Sequence, residues 1–94
     1  MSSPTAKSVY KAKDSLVIRK EAFGGICYSR EVHAYELIND TAFLILQLCD
    51  GKRQVAEIVS SVCNEYEGDG DLIKETVLDF IKQMEEKGYI TKAV

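Results

Sequence analysis

From Ser15 onward the apolar positions fall first into short β-branched runs and then, after Ile38, into a helical period. Leu16-Val17-Ile18-Arg19-Lys20 predicts a strand. Phe23-Gly24-Gly25 interrupts it, because glycine reaches positive φ without penalty. Ile26-Cys27-Tyr28-Ser29 predicts a second strand, Arg30-Glu31 a polar connection, and Val32 to Ile38 a third strand. Together they predict an antiparallel three-stranded meander. The third strand places Val32, Ala34 and Ile38 on one face and Tyr35 and Leu37 on the other. Apolar groups on both faces suit a strand that receives a partner.

Asn39 is a good N-cap for the first helix, since its side-chain oxygen can accept a free first-turn N–H. Ala42, Ile45, Leu46 and Cys49 follow at i, i+3, i+4 and i+7, with Phe43, Leu44 and Leu48 widening the apolar surface. Asp50-Gly51 predicts its end. A second helix is expected from about Gln54 to Tyr66, burying Val55, Ile58, Val59, Val62 and Tyr66. After Glu67-Gly68-Asp69-Gly70, a third runs from Asp71 to Lys87, capped by Asp69 or Asp71 and stopped by Gly88. Its core stripe is expected to be Ile73, Val77, Phe80 and Met84. The predicted fold class is α+β, winged helix-turn-helix-like, with a three-stranded antiparallel sheet followed by three helices (βββααα). Residues 1–14 are polar and lysine-rich and predict a flexible tail, leaving 15–94 as one domain.

The 94 residues are 46% hydrophobic and 29% charged, as in a globular domain with a modest core. No apolar run approaches the ~20 residues that span a bilayer, and the N-terminus lacks the apolar stretch of a signal peptide. The expectation is therefore a cytoplasmic protein with no membrane partner. Net charge is −3, unevenly spread. Residues 1–14 hold three lysines against one aspartate, and the rest holds nine basic against fourteen acidic residues. So acidic a body repels nucleic-acid backbones. A winged-helix DNA regulator is the alternative its topology invites, but Lys74, Lys82 and Lys87 are outnumbered on the third helix by Asp71, Glu75, Asp79, Glu85 and Glu86.

Cys27, Cys49 and Cys63 match no metal-binding spacing and read as reduced apolar fillers. The one histidine, His33, has no nucleophile in a motif with it. Glu67-Gly68-Asp69-Gly70-Asp71 lacks the spacing and terminal glutamate of an EF-hand, and Gly24-Gly25 is no phosphate loop. No catalytic, metal or cofactor site is expected.

Ile38-Asn39-Asp40-Thr41-Ala42, Ile45-Leu46, Leu48-Cys49-Asp50-Gly51, Val55, Glu57-Ile58, Val77, Phe80-Ile81 and Lys87-Gly88-Tyr89-Ile90 form a further pattern. It resembles the coenzyme PQQ synthesis protein D family, the RiPP recognition elements. The Asn39–Gly51 segment is the most specific part. Glu21-Ala22-Phe23-Gly24-Gly25 is similar to versions that accompany radical SAM maturases. Ile38 replaces the usual leucine, and Gln54 stands where a Ser or Thr cap often begins the second helix.

The resemblance implies a non-catalytic peptide chaperone. A precursor's leader would add as a strand to the open edge of the third strand, beside the third helix, for presentation to a radical SAM or other modifying enzyme. A general protein–protein adaptor would use the same edge, and the free edge would allow a homodimer. The expected peptide site comprises Val32, His33, Ala34, Tyr35, Glu36 and Leu37, with Lys74, Val77, Leu78 and Ile81 of the third helix. Leu78 and Ile81 are expected as pocket walls, and Lys74 as the partner of an acidic leader residue.

Overall fold

A computed structural model describes residues 4–93. The elements are β1 (Val9–Ala12), β2 (Leu16–Glu21), β3 (Gly24–Ser29), β4 (Ala34–Ile38), α1 (Asp40–Leu48), β5 (Asp50–Gln54), α2 (Val55–Glu65), α3 (Gly70–Glu86) and β6 (Ile90–Lys92). The strands form two three-stranded antiparallel sheets, ordered β2-β3-β4 and β5-β1-β6.

The β2-β3-β4 sheet is the predicted meander, with β4 shorter than expected. Val32 and His33 belong to the preceding turn, where His33 takes a left-handed φ of 54°. That conformation is incompatible with an extended strand, so pairing starts at Ala34. Register aligns Ile18 with Cys27 and Cys27 with Glu36 on the inner face. Val17, Tyr28, Tyr35 and Leu37 stand exposed on the outer face.

Gly24 and Gly25 begin β3 rather than forming the turn, which is Ala22-Phe23. They allow α1 to approach. A Cβ on Gly24 would meet the Ile38 carbonyl oxygen at 2.3 Å, and one on Gly25 would meet the Phe43 ring at 2.4 Å. Gly24 also has a φ of 141°, which L side chains rarely adopt.

The other sheet lies outside the sequence expectation. The tail predicted over 1–14 contains β1, whose Val9 and Tyr10 are buried, and residues 1–3 lie outside the described residues, as does Val94. β1 pairs on both sides, with β5 and with β6, so its backbone groups are satisfied. The predicted Asp50-Gly51 turn is the start of β5, with Gly51 at a φ of 82°. The βββααα order therefore becomes ββββαβααβ.

The helices fall close to their predicted spans. Asn39 caps α1, its side-chain oxygen accepting from Ala42 N at 2.8 Å, and Asp69 caps α3, accepting from Asp71 N at 2.8 Å. Gln54 opens α2 with its backbone N–H donated to the Glu57 carboxylate at 3.0 Å, so Glu57 supplies the first-turn bond. Ile45, Leu46, Ile58, Val77, Ile81 and Met84 meet Tyr10 and Ile90 in one core.

Candidate functional site

β4 is an edge strand of its sheet, and α3 runs alongside its open side in the opposite direction. Between them lies a groove of 280 Å³. Glu36, Leu37 and Ile38 form one wall, Thr76, Phe80, Gln83 and Lys87 the other, and Ala42 and Ile45 of α1 lie along it. Alternate residues of an edge strand turn N–H and C=O away from the sheet. The groove thus offers main-chain partners on one side and mixed apolar and amide side chains on the other.

An ion pair closes one end. Lys87 Nζ donates to both carboxylate oxygens of Glu36, at 2.7 and 2.8 Å. Glu36 points to the inner face and raises two neighbours. The Cys27 thiol is pushed above its ordinary value, first by burial and then by the Glu36 carboxylate. Burial and Glu36 do the same to the Tyr89 phenol.

The structure brings only part of the expected site together. Glu36 and Leu37 line the groove, and Ala34 and Tyr35 lie on the same strand. Val32 and His33 sit in the turn before it. On α3 the expected flank is displaced. Ile81 is 0% exposed, as is Val77, so Ile81 is a core side chain and not a pocket wall. Lys74 and Leu78 line a small space against Val55 and Val59 of α2 and Ala6. At 3.6 residues per turn they lie roughly 120–160° round the helix from Phe80.

Phe80, expected in the core, is only half-buried and faces the groove with Thr76, Gln83 and Lys87. The core stripe of α3 is accordingly Val77, Ile81 and Met84. Both shoulders of that stripe carry apolar residues, so periodicity alone does not say which shoulder meets β4. The small and amide residues flanking Phe80, Thr76 and Gln83, are the signal that marks the groove side.

Among the described residues no three His, Cys, Asp or Glu side chains gather as a metal site. Among them, too, no helix is long and apolar enough to cross a membrane.

The family described as "Coenzyme PQQ synthesis protein D (PqqD)" matches residues 26–90, from β3 to the first residue of β6. The PqqA binding protein of Rhodopseudomonas palustris (strain HaA2) is 38% identical over 55 residues, covering 58% of this chain and 54% of that protein. Its counterpart in strain BisB5 is 36% identical over the same shares. The chain thus spans about half the length of the curated relatives it matches.

Several solved structures share the fold. TbiB1 in complex with the TbiA(beta) leader peptide superposes with a TM-score of 0.75 at 20% identity, covering 85% of this chain and 93% of that one. The solution structure of the PqqD truncation of Methylobacterium extorquens PqqCD, described as a stand-alone RiPP recognition element, gives 0.76 at 18% identity, covering 94% of each.

Proposed function

The chain belongs to the coenzyme PQQ synthesis protein D family, and we propose that within it this domain binds the leader of a ribosomally made precursor peptide. The leader adds as a fourth strand to the free edge of β4, its groove-facing side chains packing on Phe80. The domain does no chemistry of its own. It presents the peptide to a modifying enzyme, a radical SAM maturase, in the cytoplasm.

The observation that carries this reading is the open edge of β4 with a groove between it and α3. Main-chain pairing supplies affinity with little demand on sequence, and the α3 wall selects side chains at every second position. Two observations add weight: the curated relatives are named for binding PqqA, and a structure of the same fold is in complex with the TbiA(beta) leader peptide. Three free cysteines fit a reducing compartment. The face of α3 that meets β4 suits peptide capture rather than DNA binding, since it carries Thr76, Phe80 and Gln83 with a single cation, Lys87, already paired to Glu36.

The test is a fluorescence-anisotropy titration with the short precursor peptide encoded nearest this chain's gene. The expected dissociation constant is about micromolar, or about −8 kcal/mol. Phe80→Ala is expected to weaken it by roughly tenfold as a groove contact. Tight, steeply salt-dependent binding of duplex DNA with none of the peptide would overturn the reading.

A further inference from the structure

Charge is sorted in space on this molecule. The β5-β1-β6 sheet and its flanks, residues 5–14, 50–54 and 90–93, hold six of the twelve basic side chains and two of the fifteen acidic ones, a net of +4. The rest of the chain holds the other six and thirteen, a net of −7. Lys7, Lys11, Lys52 and Lys92 are exposed and, among the described residues, make no ion pair. Asp50 is engaged by its own strand. Its carboxylate accepts from Lys52 N at 2.9 Å and from Arg53 N at 3.1 Å, and pairs with the Arg53 guanidinium.

This basic sheet begins where the groove ends. Just past the end of α3, the Tyr89 carbonyl accepts from Lys13 N at 3.0 Å. In the turn before β4, Glu31 accepts from Lys13 Nζ at 3.1 Å. Lys13 therefore sits at the corner where both walls of the groove finish. Two residues back, Lys11 stands in register with Thr91 of β6 and Asp50 of β5, so all three share one face. Its stem lies across β5, where a Cβ on Gly51 would meet it at 3.4 Å. Lys11, Lys13 and Thr91, with Asp14, line a shallow depression of 230 Å³.

We propose that the basic face of the β5-β1-β6 sheet is a second peptide subsite, taking carboxylate side chains from the precursor segment C-terminal to the strand-paired stretch. The inference rests on strand addition at β4. β4 runs from Ala34 to Ile38, and every pairing in its sheet is antiparallel. A strand added in the same sense runs the other way, so its C-terminal flank leaves past Ala34, at the Lys13 corner. There it meets unpaired lysines, which favour an acidic flank and disfavour a basic one. A short acidic segment also suits the size of the face, two strand spacings or roughly 10 Å across. A nucleic-acid duplex would spread its phosphates over the acidic body around it.

The subsite gives strand addition a direction. Main-chain pairing is open to strands of either sense. Carboxylates beyond one end of the paired stretch, drawn to cations beyond one end of the groove, orient the peptide and choose the side on which it leaves toward the modifying enzyme.

The test uses the full chain and the precursor peptide encoded nearest its gene, fluorescently labelled, in two arms. One arm compares wild type with Lys11→Gln/Lys92→Gln and with Lys74→Gln/Lys82→Gln, which removes the same charge from α3, each checked by thermal melting. The other changes each carboxylate C-terminal to the paired stretch to its amide. The Lys11/Lys92 variant and the amide peptide are each expected to weaken binding about fivefold at low salt, and together no more than either alone. Added salt is expected to bring wild type toward the variant. The Lys74/Lys82 variant should bind as wild type does, and the Lys11 and Thr91 amides should shift on binding together with those of β4.

Wild-type affinity in both arms, with β4 shifts present, would overturn the subsite and leave strand addition standing. An equal loss in the Lys74/Lys82 variant would overturn it in favour of attraction by the whole molecule's charge. Loss of affinity for duplex DNA or for anionic phosphatidylserine vesicles in the Lys11/Lys92 variant, with peptide affinity unchanged, would overturn it in favour of that polyanion. Absence of peptide binding and of β4 shifts in wild type would remove strand addition, and this inference with it.

Discussion

Lys87 Nζ grips both carboxylate oxygens of Glu36, at 2.7 and 2.8 Å, and so ties the cap of α3 to the middle of β4 across 51 residues of sequence. The pair is partly exposed, 41% and 33% at the side chains, so its own contribution to folding is small. Its place at the end of the groove gives it a different role, which is to hold the two walls at a fixed separation. Lys87→Met is expected to lower stability by less than about 1 kcal/mol in a urea titration. The same change should weaken peptide binding measurably, and added salt should weaken the wild type toward it.

The two shoulders of α3 are separable by mutation. Ile81→Ala removes a fully buried side chain and is expected to cost about 2–5 kcal/mol in urea unfolding. Phe80→Ala should cost less stability than Ile81→Ala and more binding, because the ring is half-buried in the groove wall. Reversed results would mean that the helix is turned the other way.

Gly24 tests the close approach of the sheet to the start of α1. A methyl group there meets the Ile38 carbonyl and the Asn39 backbone, and the φ of 141° is strained for any L residue. Gly24→Ala is expected to destabilise the domain by about 1–3 kcal/mol. It should also shift the amide resonances at the end of β4, where the groove begins. A wild-type unfolding midpoint with unshifted Ile38 and Asn39 amides would contradict the contact.

The cysteines differ in reach. Burial pushes the Cys49 thiol up from 9.0 to about 12, with Asp50 adding to it. The folded state therefore holds the proton that the unfolded chain releases near 9.0. Stability from this group is full below that pH and is lost between it and about 12 as pH rises. In the native protein at pH 8, a thiol reagent should label the half-buried Cys63 first. Cys27 and Cys49 should react only on unfolding.

What the sequence discloses is what local pattern carries. The meander, the three helices and the Asn39 cap follow from alternation, 3.6-residue period and capping chemistry, all read within a dozen residues. The second sheet does not. Val9–Ala12 is four residues long, and its partners Asp50–Gln54 and Ile90–Lys92 carry turn residues and charges. Those strands exist because they pair with one another over long separations. The site divides along the same line. The edge of β4 is legible because an open edge is a backbone property. The α3 wall is not, because Phe80 and Leu78 stand on opposite shoulders of one apolar stripe, and only the packing of α2 and β4 on either side assigns them.

Strand addition at β4 is tested most directly by an amide NMR titration of the labelled domain with the precursor peptide encoded nearest its gene. Strand addition predicts shifts along Glu36–Asn39 and along Thr76–Lys87 on its Phe80 side, with slowed hydrogen exchange at β4 amides that face the groove. Shifts confined to Lys74, Leu78 and the α2 face, or to the outer face of Val17, Tyr28 and Tyr35, would contradict it.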